Sequence, residues 1–341
     1  MENKQVLLTG VTGFLGSHTA IQLLEKGYQV TGTLRSMSRA AEIKAIIAKH
    51  TLHIENLNFA EADLNDGSVW MELANGMDYI QHIASPIPRV LPKNDDELII
   101  PAKNGTLSVL KAAAANKVKR VVLTSSSGSI VYGKPKGGRS GTFNESHWTD
   151  PTNKKDTTPY FRSKVIAEKA AWNFIDNDHS GLELSVVCPG AILGPVLEND
   201  FGTSANIVIK AMNGSMPALP NMGFDIVDVR SVADLLILAM EAPEAANQRY
   251  VGSSGFMKFK EVADILKQAY PDRKIPSSIL PNFAVRLFSN IDKSLKPVLI
   301  DLGVERKVDH SKAKNELGWK PLPNQEAVLS CAQSAVALGL V

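Results

Sequence analysis

Tyr160 and Lys164 stand four residues apart in the segment Thr158-Pro159-Tyr160-Phe161-Arg162-Ser163-Lys164. On a helix such a pair shares one face. An ammonium beside a phenol favours the phenolate and lowers the tyrosine pKa. A phenol tuned in this way exchanges a proton with a carbonyl oxygen near neutral pH. Upstream, Thr124-Ser125-Ser126-Ser127-Gly128-Ser129 offers hydroxyls that can donate to a carbonyl oxygen as negative charge develops on it. Ser126 is the choice for that role and Ser127 the alternative, although Ser and Gly in such a run also simply make turns.

A third group opens the chain: Thr9-Gly10-Val11-Thr12-Gly13-Phe14-Leu15-Gly16. It follows an apolar run, Val6-Leu7-Leu8, and leads into a helical pattern, which is the context a dinucleotide fingerprint requires. The spacing is GxxGxxG rather than GxGxxG. Glycines there let the backbone approach a pyrophosphate, whose charge meets the N–H groups and positive dipole end of the helix. Without a ligand, the same glycines make a tight strand-to-helix turn. The end of the second expected strand, Thr33-Leu34-Arg35-Ser36-Met37-Ser38-Arg39, carries no acid to bond a ribose 2′-hydroxyl. Arg35, Ser36 and Arg39 suit a 2′-phosphate and so point to NADP, the plain alternative being solvated surface arginines. Asp63-Leu64, after the third strand, either flanks the adenine or places Asp63 as a helix N-cap.

The elements that must position these groups follow from periodicity. Strands are expected over Val6–Leu8, Gln29–Leu34, Leu57–Ala62, Tyr79–Ala84, Arg120–Thr124 and Leu184–Val187. Helices are expected over 14–26, 39–49, 67–74, 98–116, 160–175 and 258–266. Strands alternating with helices imply an α/β fold, a Rossmann-type doubly wound parallel sheet. After Pro189-Gly190 the rhythm changes and Gly, Pro and Asn become frequent. The expected division is an NADP-binding domain over 1–189, with part of 225–250 returning to it, and a smaller, mostly helical substrate-binding lobe over 190–341. The polar segment 133–158 is long enough to be functional or mobile.

Composition narrows the function classes. The 341 residues are 44% apolar and 21% charged, the profile of an ordinary globular protein. The balance of 37 basic and 35 acidic residues gives no support for nucleic-acid or membrane-surface binding. No apolar run is long enough to span a bilayer, and residues 1–5 are too polar for a signal peptide. Two cysteines, Cys188 and Cys331, make no disulfide framework, so a reducing cytoplasm is the expected location. Cys188, within Leu184-Ser185-Val186-Val187-Cys188, reads as a small buried hydrophobe. No metal site is expected.

These motifs taken together resemble the extended short-chain dehydrogenases/reductases. The chain is most similar to the branch of dihydroflavonol reductases, cinnamoyl-CoA reductases and microbial aldehyde/ketone reductases. The likeness rests on the glycine turn through His18, Arg35, Asp63-Leu64, His82-Ile83-Ala84-Ser85-Pro86 and Asn104-Gly105-Thr106. It rests further on Thr124-Ser125-Ser126, Tyr160 to Trp172 and Cys188-Pro189-Gly190, and it covers about residues 5–240. It implies Tyr160 as general acid, Lys164 lowering its pKa and bonding the nicotinamide ribose, and Ser126 orienting the carbonyl. Asn104 would help hold a relay water, and Pro189 would pack near the nicotinamide carboxamide. The NADP(H) set it implies is Thr9, Gly10, Gly13, Phe14, Leu15, Gly16, Arg35, Ser36, Arg39, Asp63, Leu64, Ile83, Ala84, Ser85, Thr124, Ser125, Tyr160, Lys164, Pro189, Gly190 and Ile192.

Substrate contacts are expected from Pro86, Ser126, Ile130, Phe161 and Leu193, with Ile87, Val131, Tyr132, Val196, Phe201 and Met222 around them. These are mostly apolar, so a small apolar or aromatic carbonyl compound is the expected substrate. A phosphorylated or nucleotide-sugar substrate would want arginines, and Arg89, Arg139, Arg162 and Arg230 are the only ones near, Arg230 reading as structural. Sugar epimerases of the family usually carry Gly or Ala after the tyrosine and an acid after the second strand, where this chain has Phe161 and Arg35. The expected activity is therefore an NADPH-dependent carbonyl reductase, with a nucleotide-sugar epimerase/dehydratase and a non-catalytic NADP-binding regulator as alternatives. Relatives are monomers or homodimers, and helices 98–116 and 160–175 could form a dimer contact.

Overall fold

The structure, a computed structural model, describes residues 4–86, 94–199, 201–290 and 293–341. Seven strands build one parallel sheet: β1 (Gln5–Thr9), β2 (Gln29–Leu34), β3 (Leu57–Glu61), β4 (Tyr79–His82), β5 (Arg120–Thr124), β6 (Glu183–Pro189) and β7 (Gln248–Gly252). Across the sheet they run in the order 3-2-1-4-5-6-7, so the strand order reverses between β1 and β4. In open sheets of this kind, ligands bind at such a reversal, outside the carboxyl ends of the strands. Thr9 pairs with Thr33 and with His82, which brings the ends of β1, β2 and β4 level.

Burial alternates along β1 because successive side chains point to opposite faces. Val6 and Leu8 enter one core with Leu23 and Leu24 of α1 (Phe14–Glu25), Ile43 and Ile47 of α2 (Ala40–Ile47), and Val232, Leu235, Leu236 and Met240. Leu7 enters the other, with Trp70 of α3 (Val69–Leu73), Val109, Leu110 and Ala113 of α4 (Asp96–Ala115), and Ala171 of α5 (Pro159–Asp176). A third core lies beyond the sheet. There α6 (Asn206–Met212) packs with Phe259, Val262, Ala263 and Leu266, an i, i+3, i+4, i+7 stripe of the helix Phe259–Ala269, and with the helix Asn324–Ala337.

The expected strands recur within a residue or two, and β2 and β5 coincide with expectation at both ends. β7, which no sequence pattern named, pairs in parallel with β6. It arrives after α7 (Val229–Glu241), whose buried residues include Leu235, Leu236 and Met240. The segment 133–158 is held down rather than loose. Residues 141–143 pair with 306–308, and buried Asp156 bonds Arg306 at 2.6 Å, Arg139 at 2.9 Å and the Lys134 N–H at 2.8 Å. Among the described residues no helix is long and apolar enough to cross a membrane.

Candidate active site

The glycine turn leaves β1 at the reversal. Gly10 has φ +75°, and a Cβ there would lie 3.1 Å from the Ala84 backbone. At Gly16 a Cβ would lie 2.0 Å from the Gly10 carbonyl oxygen. No side chain caps the start of α1, so its first N–H groups are available to a pyrophosphate. The turn is therefore a cradle that only small residues permit, and it fits the dinucleotide the motif implies. Gly16→Ala is expected to weaken NADP(H) binding by at least about tenfold, because the added methyl forces the turn open. Fluorescence titration of folded variant and parent checks it.

Around the cradle, the named residues divide by what their side chains do. Thr9 Oγ1 contacts His82 Nδ1 at 3.0 Å and accepts the Ala84 N–H at 3.0 Å, so this hydroxyl braces the floor of the turn. Burial and the Lys164 charge hold His82 down at about 3, leaving it neutral for this contact. Leu15 is buried in the first core, and Phe14 lies edge-on to His18. Arg35 is exposed directly after β2, and Ser36 Oγ accepts the Ser38 N–H at the turn that carries Arg39. Asp63 is exposed and accepts from the Asn65 backbone at 2.8 Å; it caps a turn, not a helix. Leu64 packs against Gly105, where a Cβ would lie 3.2 Å from it. Ile83, Ala84, Ser85 and Pro86 follow β4 and Gly190 follows β6, all at the same sheet edge as the glycine turn. Pro189 is buried at the end of β6, and Ile192 packs on the first core.

Thr158 and Pro159 set the start of α5. The Thr158 side chain accepts the Phe161 N–H at 3.3 Å, and proline fills the first turn, where its missing N–H costs nothing. That start puts Tyr160 in the first turn and Lys164 one turn on. Ser126 lies two residues past the end of β5, accepts the Gly128 N–H at 3.0 Å and hydrogen-bonds Tyr160. Ser126, Tyr160 and Lys164 thus meet at one edge. Ser127 begins the short turn that Ser126 caps.

The electrostatics differ from expectation in one respect. Burial raises the Tyr160 phenol above its ordinary value, and the Ser126 hydrogen bond acts against that rise; the Lys164 charge is not among its causes. Lys164 instead donates to the Thr124 carbonyl at 3.1 Å, and burial pushes it down to about 8. Desolvation outweighs the neighbouring charge. The phenol therefore holds its proton at neutral pH, which suits an acid.

Behind these groups lies a network that the motifs did not reveal. Glu168, one turn past Lys164 on α5, accepts from Ser125 Oγ at 2.5 Å, Ser129 Oγ at 2.6 Å and Arg249 Nε at 2.5 Å. The Ser125 hydroxyl, expected to face the cofactor, is committed here. Arg249, on β7, also donates to the carbonyls of Glu145 and His147 and lies 3.8 Å over the Trp148 ring. The carboxylate's charge holds the Lys164 pKa up against burial. A cavity with room for about one water lies between Thr106, Thr124, Lys164 and Glu168. The Thr124 hydroxyl, at one side, has no partner among the described residues.

Several residues expected at the site have other surroundings in the structure. Ile130 and Leu193, expected at the substrate, are fully buried in the second and third cores, where apolar side chains are equally at home. Val131 and Val196 are core residues too. Asn104 is exposed, because Ala102, Gly105, Thr106 and Val109 turn the inner face of α4 to the sheet. Phe161 stays near the site. It stacks on Tyr132 at 3.9 Å, contacts Tyr160 edge-on at 5.6 Å, and fits only because Gly128 has no Cβ. Phe201 and Met222 are partly buried against the third core. Ile87 and Arg89 lie outside the described residues. The remaining arginines are engaged: Arg139 with Asp156, Arg162 with Asp95 at 2.6 Å, and Arg230 with Asp228 and Glu326. Among the described residues no group of acidic, His or Cys side chains could hold a metal.

A parallel sheet reversing at a glycine cradle, with Ser126, Tyr160 and Lys164 at the adjoining edge, is the architecture of an extended short-chain dehydrogenase/reductase. The chain belongs to the NAD dependent epimerase/dehydratase family, whose model matches residues 6–251. It is 32% identical over 332 residues to cinnamoyl-CoA reductase 1 of Petunia hybrida, covering 94% of this chain and 95% of that one. It is 34% identical over 277 residues to cinnamoyl-CoA reductase 1 of Arabidopsis thaliana, covering 80% and 77%. Among solved structures, yeast methylglyoxal/isovaleraldehyde reductase complexed with NADPH superposes with a TM-score of 0.80 at 26% identity, covering 99% and 100%.

Proposed function

We propose that this NADPH-dependent oxidoreductase reduces a small apolar or aromatic aldehyde or ketone to the alcohol, with Tyr160 as general acid. The observation that carries the reading is the meeting of Ser126, Tyr160 and Lys164 beside the glycine cradle, with the phenol held in its protonated form. When bound, NADPH would supply the hydride for the carbonyl carbon. The chain's own part is to handle the oxygen. Ser126 donates to it, and Tyr160 hands over its proton as charge develops there. Lys164, anchored on the Thr124 carbonyl, presents a positive charge at neutral pH beside the place where the cofactor ribose would lie. The Gly10–Gly16 turn and Arg35, whose exposed guanidinium suits a 2′-phosphate, would hold the cofactor.

For the substrate, the stacked rings of Tyr132 and Phe161 beside Tyr160 provide an apolar wall. The arginines that a nucleotide sugar would need are paired with acids. The names of the cinnamoyl-CoA and methylglyoxal/isovaleraldehyde reductases support carbonyl reduction in the same sense. The deciding experiment uses NADPH deuterated at the transferring carbon. Deuterium on the carbinol carbon of the product is expected; a rearranged substrate with no net NADP formed would point to epimerisation instead.

A further inference from the structure

We infer that Glu198 is a built-in competitor for the cofactor's 2′-phosphate and sets how tightly this protein holds NADP(H). The inference rests on the β2 edge being the 2′-phosphate site. Arg39 lies in the turn just after β2, four residues beyond Arg35. Its Nη2 donates to Glu198 Oε2 at 2.5 Å, while its Nε reaches Glu42 at 3.2 Å. Glu42 is an ordinary helix neighbour, mostly exposed. Glu198 comes from a segment 159 residues away in sequence, and its side chain is only 15% exposed.

Described residues on either side of Glu198 are tethered. His18 of α1 contacts the Pro195 carbonyl at 2.9 Å. The Val196 N–H donates to Ser334 of the helix 324–337 at 2.8 Å. Gly202 lies against Phe14 of the cofactor turn, where a Cβ would come within 3.3 Å. The segment therefore leaves the third core, passes the start of α1 and delivers a carboxylate to Arg39 across the cofactor edge.

A carboxylate on a guanidinium uses the same donors that a phosphate would use. For NADP(H) to engage Arg39 through its 2′-phosphate, Glu198 must yield. Two anions sharing one guanidinium repel, and the ion pair of the free protein is lost on binding. NADH brings no 2′-phosphate and leaves the pair intact. Glu198 thus weakens NADP(H) selectively, and it links the adenosine end of the cofactor to the lobe that carries the third core.

The test is direct binding to the intact protein, with no turnover needed. Affinities of 2′,5′-ADP, 5′-ADP, NADPH and NADH are measured by calorimetry or fluorescence for the parent, Glu198→Gln, Arg39→Met and the double variant. Glu198→Gln is expected to tighten 2′,5′-ADP and NADPH by about three- to fivefold, the upper range of one partly exposed ion pair, and to leave 5′-ADP and NADH unchanged. The gain should shrink as salt is raised and vanish in the Arg39→Met background. Equal effects on phosphorylated and unphosphorylated ligands, or no effect, would overturn the inference while leaving the NADP(H) reading intact. A parent that binds 2′,5′-ADP no better than 5′-ADP would overturn both.

Discussion

Tyr160→Phe is expected to lower kcat for carbonyl reduction by about a hundred- to ten-thousand-fold, the usual worth of a positioned general acid, while the Kd for NADPH stays within about twofold. The substitution removes one oxygen and keeps the ring, so the edge contact with Phe161 and the start of α5 survive. What disappears is the proton that burial keeps on the phenol and the hydrogen bond with Ser126. Under the proposed mechanism Ser126 would still donate to the carbonyl oxygen, so charge there is partly met and a residual rate is expected. Single-turnover kinetics with pre-bound NADPH isolate the chemical step from product release. Turnover within a few fold of the parent would show that the proton comes from elsewhere.

The second large effect belongs to Glu168, which acts through its neighbours and not on substrate. Glu168→Gln keeps the shape but removes the charge that faces Arg249, Ser125 and Ser129. Leaving the Arg249 guanidinium buried and uncompensated is expected to cost about 3–5 kcal/mol of stability, read as a fall in the denaturant midpoint. Adding Arg249→Met should recover part of the loss, since removing both charges costs less than stranding one.

The same variant has a signature that a merely structural residue would lack. Lys164 sits at about 8, and the Glu168 charge is what opposes burial there. Above that pH the ammonium discharges and the alkaline limb of kcat/KM falls. Without the carboxylate the Lys164 pKa drops further, so the limb moves to lower pH. A folded Glu168→Gln enzyme whose alkaline limb matches the parent would contradict this positioning role.

Most of the sheet could be read in advance because buried parallel strands are short β-branched runs between turn residues. Val121 to Thr124 shows this, and Val30 to Leu34 shows it apart from Gly32. β7 was hidden because Gln248-Arg249-Tyr250 looks like a surface segment. An arginine is tolerated in that strand only because Glu168, 81 residues earlier, meets it, and no local pattern carries such a pairing. Glu168 itself had a faint signal, being four residues past Lys164 on the same helical face.

Site residues with motif spacing came together, whereas those chosen for apolarity alone did not. Ile130 and Leu193 show why: an apolar residue beside a catalytic loop satisfies a core as readily as a pocket. Asn104 faces outward through helix phase, a matter of one residue on α4. The tyrosine's tuning was also beyond the sequence. The pair at i, i+4 was visible, but the balance between burial and charge depends on how deeply α5 sits.

The most direct measurement is net oxidation of NADPH, followed at the nicotinamide absorbance band, with purified protein and a panel of aromatic and aliphatic aldehydes, ketones and ketoesters, and NADH in parallel. Oxidation of NADPH well above NADH, with an equivalent of alcohol formed, is the expected result. No net oxidation of either cofactor while NADP remains bound would contradict carbonyl reduction and favour an epimerase, a dehydratase or a non-catalytic NADP-binding protein.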